Sequence, residues 1–283
     1  MKIAITCEST VDLSKELLLK YNIKTIPFTI ILGDDEKKDG EILAEDIFEF
    51  VSKTKILPKT TAINEFEYTE FFEEVLTDSD ALIHIALSSG ISSSYSHAQA
   101  AAEKMKNVYV IDSKSLSTGI ALQAIYASKL RESIDDPQEI VDKVVARQGG
   151  IQASFIVEKL DYLHKGGRCS GIALLGANVL KIRPRIVVQD GKMKNDRKYR
   201  GQMAFAVKKY CEECLNENPD IDKSLAFVTY SSATPEMIEI ATATLKEAGV
   251  ETIYETKAGG TITSHCGENT LGILFYNDGI KTL

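Results

Sequence analysis

Apolar residues follow two periods along the first 150 positions. Short unbroken runs at KIAIT (2–6), KTIPFTIIL (24–32), ALIHIAL (81–87) and NVYVID (107–112) predict strands buried on both faces. Segments with apolar residues three and four apart lie between and after them. These are SKELLLKY (14–21), AEDIFEFVSK (44–53), EFEYTEFFEEVL (65–76), SYSHAQAAAEKM (94–105), GIALQAIYASKLRES (119–133) and PQEIVDKVVARQ (137–148), and they predict helices. Asp39-Gly40 reads as a polar turn after the second strand. Strands alternating with helices imply a largely parallel sheet flanked by helices, with ligands beyond the carboxyl ends of its strands.

Gly149-Gly150 marks a seam, which predicts two α/β domains, residues 1–150 and 151–283. In the second, IQASFIV (151–157) is a strand and the segment 158–180 reads as mainly helical. RPRIVVQDGKMKN (183–195) reads as a hairpin turning at Asp190-Gly191. A helix from about residue 202 to 216 is followed by SLAFVTY (224–230), PEMIEIATATLKEAG (235–249) and VETIYET (250–256), a β-α-β unit. A glycine- and threonine-rich loop then leads into TLGILFY (270–276). The second domain is therefore expected to carry a mixed sheet with helices.

Composition narrows the function classes. The 283 residues carry a net charge of -8, which argues against a general nucleic-acid partner. No apolar run is long enough to span a membrane, and the opening MKIAITCEST, with Glu8 inside it, is not expected to be a signal peptide. Five scattered cysteines read as reduced thiols, and so as a cytoplasmic protein. Cys211 and Cys214 form a CxxC with no second pair, so no metal site is expected there.

The chemistry lies in hydroxyl-rich loops. LSSGISSSYSHA (87–98) sets six serines between a strand and a helix. At a helix start, where N–H groups are unpaired, such hydroxyls either cap the helix and face solvent or form an anion site. CEST (7–10), KTTA (59–62) and DSKSLSTG (112–119) are of the same kind, and their convergence on one crevice would suit a carboxylate or phosphate. His265 sits among glycines and threonines, where it either makes a structural hydrogen bond or serves an anion or a proton transfer. His84, His97 and His164 lie in strand-like or helical contexts.

CEST, KTTA, LSSGISSSY, IDSKSLSTG, LDYLHKGGRCSG, ALLGANVLKIRPRI and SHCGENTLGI, in that order, resemble the blocks of the DegV family over nearly the whole chain. That family is similar to, and includes, the fatty-acid-binding subunit of bacterial fatty acid kinase. The resemblance implies a non-catalytic subunit without a cofactor. It would enclose a long-chain fatty acid and present the carboxylate to a separate ATP-dependent kinase subunit for acyl phosphate formation. It implies carboxylate contacts from Thr60, Thr61, Ser92 or Ser93, and His265. The apolar GIALLGANVLKI (171–182) is either a buried helix or, with the resemblance, a tunnel wall through Ile172, Leu174, Leu175, Val179 and Leu180. Ser93 and Ser94 stand where the family usually has Gly and Thr, Ile63 where proline is common, and Glu268-Asn269 where Pro-Gly is usual.

Charge bears on the partner. Between Lys165 and Arg200 ten basic residues face two acids, Asp190 and Asp196; that is +8 here and -16 in the rest of the chain. This stretch is either a solvated hairpin or a docking surface, with Arg168, Arg197 and Arg200 the expected contacts to an acidic kinase face. A transient contact with an anionic membrane surface fits the same charge. Two other functions stay open. A sugar-phosphate enzyme could use the hydroxyl loops but lacks an evident set of acids or a lysine. A serine hydrolase built on Ser92 or Ser93 with His265 lacks the second glycine of a G-x-S-x-G elbow.

Overall fold

A computed structural model describes residues 1–170 and 181–283. The chain opens with β1 (Ile3–Glu8), a 3-10 turn (Ser9–Val11), α1 (Lys15–Lys20) and β2 (Ile23–Ile26). An excursion follows through β3 (Thr29–Leu32), β4 (Asp35–Lys38), α2 (Ala44–Thr54) and β5 (Lys59–Thr61). Next come α3 (Glu65–Leu76), β6 (Ala81–Ala86), α4 (Ser94–Ala102), β7 (Val108–Asp112), α5 (Thr118–Leu130) and α6 (Pro137–Arg147). After a second 3-10 turn (Gln148–Gly150) come β8 (Ile151–Ile156), α7 (Asp161–Gly166), β9 (Cys169–Ser170), β10 (Ile182–Gln189) and β11 (Lys192–Arg200). The chain ends with α8 (Met203–Glu217), β12 (Ile221–Tyr230), α9 (Pro235–Glu247), β13 (Ile253–Lys257), α10 (Gly260–Cys266) and β14 (Leu271–Asn277).

The first sheet runs β2-β1-β6-β7 and is parallel throughout. Its central strands β1 and β6 are buried at every position, as their unbroken apolar runs require. A mixed sheet runs β13-β12-β14-β8-β10-β11-β9; α9 makes the parallel crossover from β12 to β13, and β14 lies antiparallel to both neighbours. The mixed α/β architecture is as expected. So is the β10–β11 hairpin, whose Asp190-Gly191 turn has positive φ at both residues. A large apolar core joins the two sheets: Ile5, Ile83, Ile120 and Ile125 pack in one cluster with Phe155, Phe227 and Leu274.

The described structure departs from the reading of the sequence in local detail. KTIPFTIIL is two strands, because Pro27 cannot donate to a ladder; β3 turns off into a small antiparallel sheet ordered β4-β3-β5. β4 is four polar residues, held by its neighbour and not by apolar pattern. KTTA contributes strand β5 to that sheet, pairing Thr60 with Ile30. Of the segment 158–180, expected as mainly helical, residues 171–180 lie outside the described residues; within 158–170 the helix is α7, which stops at Gly167 in left-handed conformation before β9.

Candidate functional site

The hydroxyl loop leaves the carboxyl end of β6 and is fixed from beneath by a buried acid. Glu8 accepts hydrogen bonds from the Leu87 N–H at 2.8 Å and the Tyr68 hydroxyl at 2.7 Å. Ser94 bonds the same Tyr68 oxygen at 2.6 Å. Burial alone would raise the Glu8 carboxyl, but His84, with its Nε2 3.5 Å away, and the bonds from Tyr68 and Leu87 hold it below its ordinary value. Other serines are spent on architecture. Ser88 donates to the Gly191 carbonyl at the hairpin tip at 2.7 Å, Ser89 donates to Asp112, and Ser96 donates to the Ser93 carbonyl at 2.7 Å. Ser92 and Ser93 remain. Ser92 Oγ accepts from the Ser94 N–H at 3.2 Å, which leaves its own hydrogen to give, and Ser93 caps α4 without a side-chain bond.

Ser92 and Ser93 face a cavity of about 460 Å³, within the range of ligand pockets. Its walls come from both parts of the chain. Phe28, Thr60, Ala62, Leu87, Ile91 and Leu116 meet Arg168, Met193, Thr261, Ile262, His265 and Cys266. The segment expected as a loop is here the short helix α10, too rich in Gly and Thr to announce itself. Two acidic side chains from the first half of the chain hold its start. Asp12 accepts from the Gly259 N–H at 2.7 Å, and Asp39 accepts from the Gly260 and Thr261 N–H groups at 2.7 and 3.1 Å. Burial pushes the Asp12 carboxyl up to about 8; its bonds from Ser117 and Gly259 oppose the shift and the charge of Asp39 adds to it.

That anchoring delivers His265 to the cavity. Its Nε2 lies 2.8 Å from Thr60 Oγ1, across 205 positions of sequence. Its buried Nδ1 has no partner and faces Gly166, where a Cβ would come within 2.7 Å of it. Glycine ends α7 there because no side chain fits. Burial first, and the Arg168 charge second, lower the imidazole to about 4, so it is neutral at neutral pH. Thr60, His265 and Arg168 also line an outer cleft of about 310 Å³ together with Lys59, Tyr162 and Lys165.

The expected site residues divide accordingly. Thr60, Ser92, Ser93 and His265 share the cavity. Thr61 does not: strand alternation turns it outward, and it is exposed and outside the lining. Arg168, expected on a docking surface, stands at the cavity, and Arg197 is engaged by Glu213 and Glu217 of its own chain. Arg200 is exposed, with no ion pair among the described residues. Ile172, Leu174, Leu175, Val179 and Leu180 lie outside the described residues. The hydroxyls of the other two loops do not line the cavity, although Leu116 of DSKSLSTG does: Ser9 bonds Asp39, Ser117 bonds Asp12, and Thr118 bonds Thr229. Glu268, where the family usually has proline, faces a different cleft beside Lys55 and Lys165. Sequence reasoning missed Phe28, Leu116, Met193, Thr261, Ile262 and Cys266 as walls. Only the neighbouring motifs signalled them.

Chemically, the cavity wall combines neutral donors and one guanidinium with carbon surface. His265 Nε2 bonds a threonine and not Ser92 or Ser93, which is not a nucleophile–base pair. Among the described residues no group of three or more His, Cys, Asp or Glu could hold a metal ion, and no helix is long and apolar enough to cross a membrane.

Comparison with known proteins gives a consistent set of relatives. The profile of a family described as "Uncharacterised protein, DegV family" matches residues 2–278. A fatty acid-binding protein of Thermotoga maritima is 28% identical over 282 residues, covering 96% of each chain. The crystal structure of a DegV lipid binding protein from Thermotoga maritima superposes with a TM-score of 0.86 at 26% identity, covering 98% of each chain. DegV, a fatty acid binding protein from Bacillus subtilis, gives 0.85 at 25% identity, covering 98% of this chain and 100% of that one.

Proposed function

The chain belongs to the DegV family, and from that premise we propose that it binds a long-chain fatty acid and presents the carboxylate to a separate ATP-dependent kinase subunit for acyl phosphate formation. The observation that carries the first half is the make-up of the cavity wall: the hydroxyls of Ser92, Ser93 and Thr60 and the imidazole of His265 share one space with the apolar Phe28, Leu116, Ile262 and Met193. Residues 1–150 and 151–283 act as two domains that close on the ligand from either side.

The head group is held as follows. The neutral imidazole donates from Nε2 to Thr60 Oγ1 and leaves the Thr60 hydrogen free for the carboxylate. Ser92 donates a second hydrogen, and Arg168 supplies charge at the rim. Each such bond to a charged acceptor is worth about 1.5–3 kcal/mol. The tail supplies more: about 14 buried methylenes at about 0.8 kcal/mol each give roughly 11 kcal/mol, less the cost of ordering the chain. Affinity thus comes mainly from the tail and orientation from the head.

The presenting half draws on the outer cleft. Thr60, His265 and Arg168 belong to both cavities, so a carboxylate between them is reached from the tail side and from outside. The chain needs no catalytic group of its own for a partner to phosphorylate that oxygen. Native mass spectrometry of the purified protein tests the binding. A long-chain acid at near-equal molar amount is expected; a sugar phosphate, or no ligand combined with no uptake of palmitate or oleate, would overturn it.

A further inference from the structure

The charged residues of the outer cleft are all of one sign. Lys59 on β5, Lys165 on α7 and Arg168 just beyond it line the cleft, and its lining holds no Asp or Glu. In the main cavity Arg168 is the one charged lining residue. All three cations are exposed, and among the described residues none of them is ion-paired. Arg168 gives one N–H to the Gly166 carbonyl at 2.6 Å and keeps the rest of its fork. Asp161 and Glu268 line the neighbouring cleft, which Lys165 also borders. Residues 171–180, outside the described residues, contain no Asp or Glu to add.

A cleft lined by charges of one sign focuses its field and concentrates the opposite charge. Two classes of anion differ in what they ask of such a place. A carboxylate carries a single charge, and the hydroxyls of Thr60 and Ser92 already suit it. A phosphoryl group carries a charge of about -1.5 to -2 and three strong acceptor oxygens. Two ammonium groups and a guanidinium, whose fork matches phosphate oxygens, answer that larger demand. The position also fits: Thr60, His265 and Arg168 line both spaces, so a group in the outer cleft adjoins a chain in the main cavity.

We propose that the outer cleft is a phosphoryl-binding site, in which Lys59, Lys165 and Arg168 hold the charged end of a phosphorylated ligand. The ligand class is a long chain ending in a phosphoryl group, its apolar part in the main cavity; the acyl phosphate of the proposed function is of this class. The inference rests on the reading of the main cavity as a fatty-acid site. Free phosphate offers the same oxygens and charge without a chain, and chain-bearing and chain-free probes separate the two sources.

The experiment titrates delipidated wild type and a Lys59→Gln, Lys165→Gln double variant with hexadecyl phosphate, palmitate and inorganic phosphate, each lipid below its micelle concentration. Arg168 is left in place because it also lines the main cavity, and thermal melts check the fold. The double variant is expected to bind hexadecyl phosphate roughly tenfold more weakly, for the loss of two exposed charge pairs, and palmitate as wild type does. Hexadecyl phosphate bound far more tightly than inorganic phosphate supports the lipid-borne ligand. Equal affinity for the two, both lost in the variant, overturns it in favour of free phosphate. Hexadecyl phosphate affinity that is unchanged in the variant, or reduced no more than that of palmitate, overturns the phosphoryl site; wild type that still binds palmitate then keeps the fatty-acid reading. Absence of wild-type binding to all three probes overturns that reading and the phosphoryl site with it.

Discussion

Thr60 Oγ1 and His265 Nε2 lie 2.8 Å apart, although 205 positions separate them in the chain. β5 brings the hydroxyl and α10 the imidazole, so the bond ties the small antiparallel sheet to a helix beside the mixed sheet. Thr60→Val keeps the shape and removes the hydroxyl. We expect fatty-acid affinity to fall by roughly tenfold to a hundredfold, the worth of one hydrogen bond to a charged acceptor. Calorimetric titration checks it, and an unchanged dissociation constant would remove Thr60 from the head-group site.

His265 makes stability depend on pH. Its folded value of about 4 lies below the ordinary 6.5, so between those two values the unfolded chain binds the extra proton. This contribution is fully present above about pH 6.5 and is lost as pH falls from there through about pH 4. In His265→Asn, denaturant midpoints should decline less over that window than in wild type. Parallel declines would show that His265 is not held neutral.

Asp39 is the hinge pin of α10. In Asp39→Ala the buried Gly260 and Thr261 N–H groups lose their acceptor. An unsatisfied buried donor costs about 1–3 kcal/mol, so the two together should lower stability by about 2–6 kcal/mol. Asp39→Asn retains an oxygen and should cost less. Urea unfolding of both variants measures the difference; equal midpoints for Asp39→Ala and wild type would mean that α10 is held by other contacts.

Arg200 is exposed and without an ion pair among the described residues, whereas Arg183, Arg185 and Arg197 are neutralised by Glu158, Asp196, Glu213 and Glu217. Arg200→Glu should leave fatty-acid binding intact and raise the concentration needed to half-saturate a partner kinase. Salt should narrow the difference, because it screens the lost attraction. Equal half-saturation at low salt would place docking elsewhere.

What was legible in the sequence follows the physics of each part. β1 and β6 announced themselves because strands buried on both faces must be apolar throughout. The serine loop was legible as a cluster, but not which serines were free: Ser88 is spent on a carbonyl 103 positions away and Ser94 on Tyr68. α10 was hidden because its stability comes from Asp12 and Asp39, more than two hundred positions upstream, and not from helix propensity. The resemblance implied Thr60 and Thr61 as a pair, and on strand β5 their adjacent side chains point apart. The +8 of the basic stretch overstated its free charge, since the acids that neutralise it, Glu158, Glu213 and Glu217, lie outside residues 165–200.

The most direct measurement is a titration of delipidated protein with oleate and, in parallel, with methyl oleate, which has the same tail and no carboxylate. The expected result is saturable binding of one oleate per chain with a negative heat-capacity change, and an ester at least about tenfold weaker for want of the charged head. No saturable binding of oleate, or equal affinity for acid and ester, would contradict a site built to hold a fatty acid by its carboxylate.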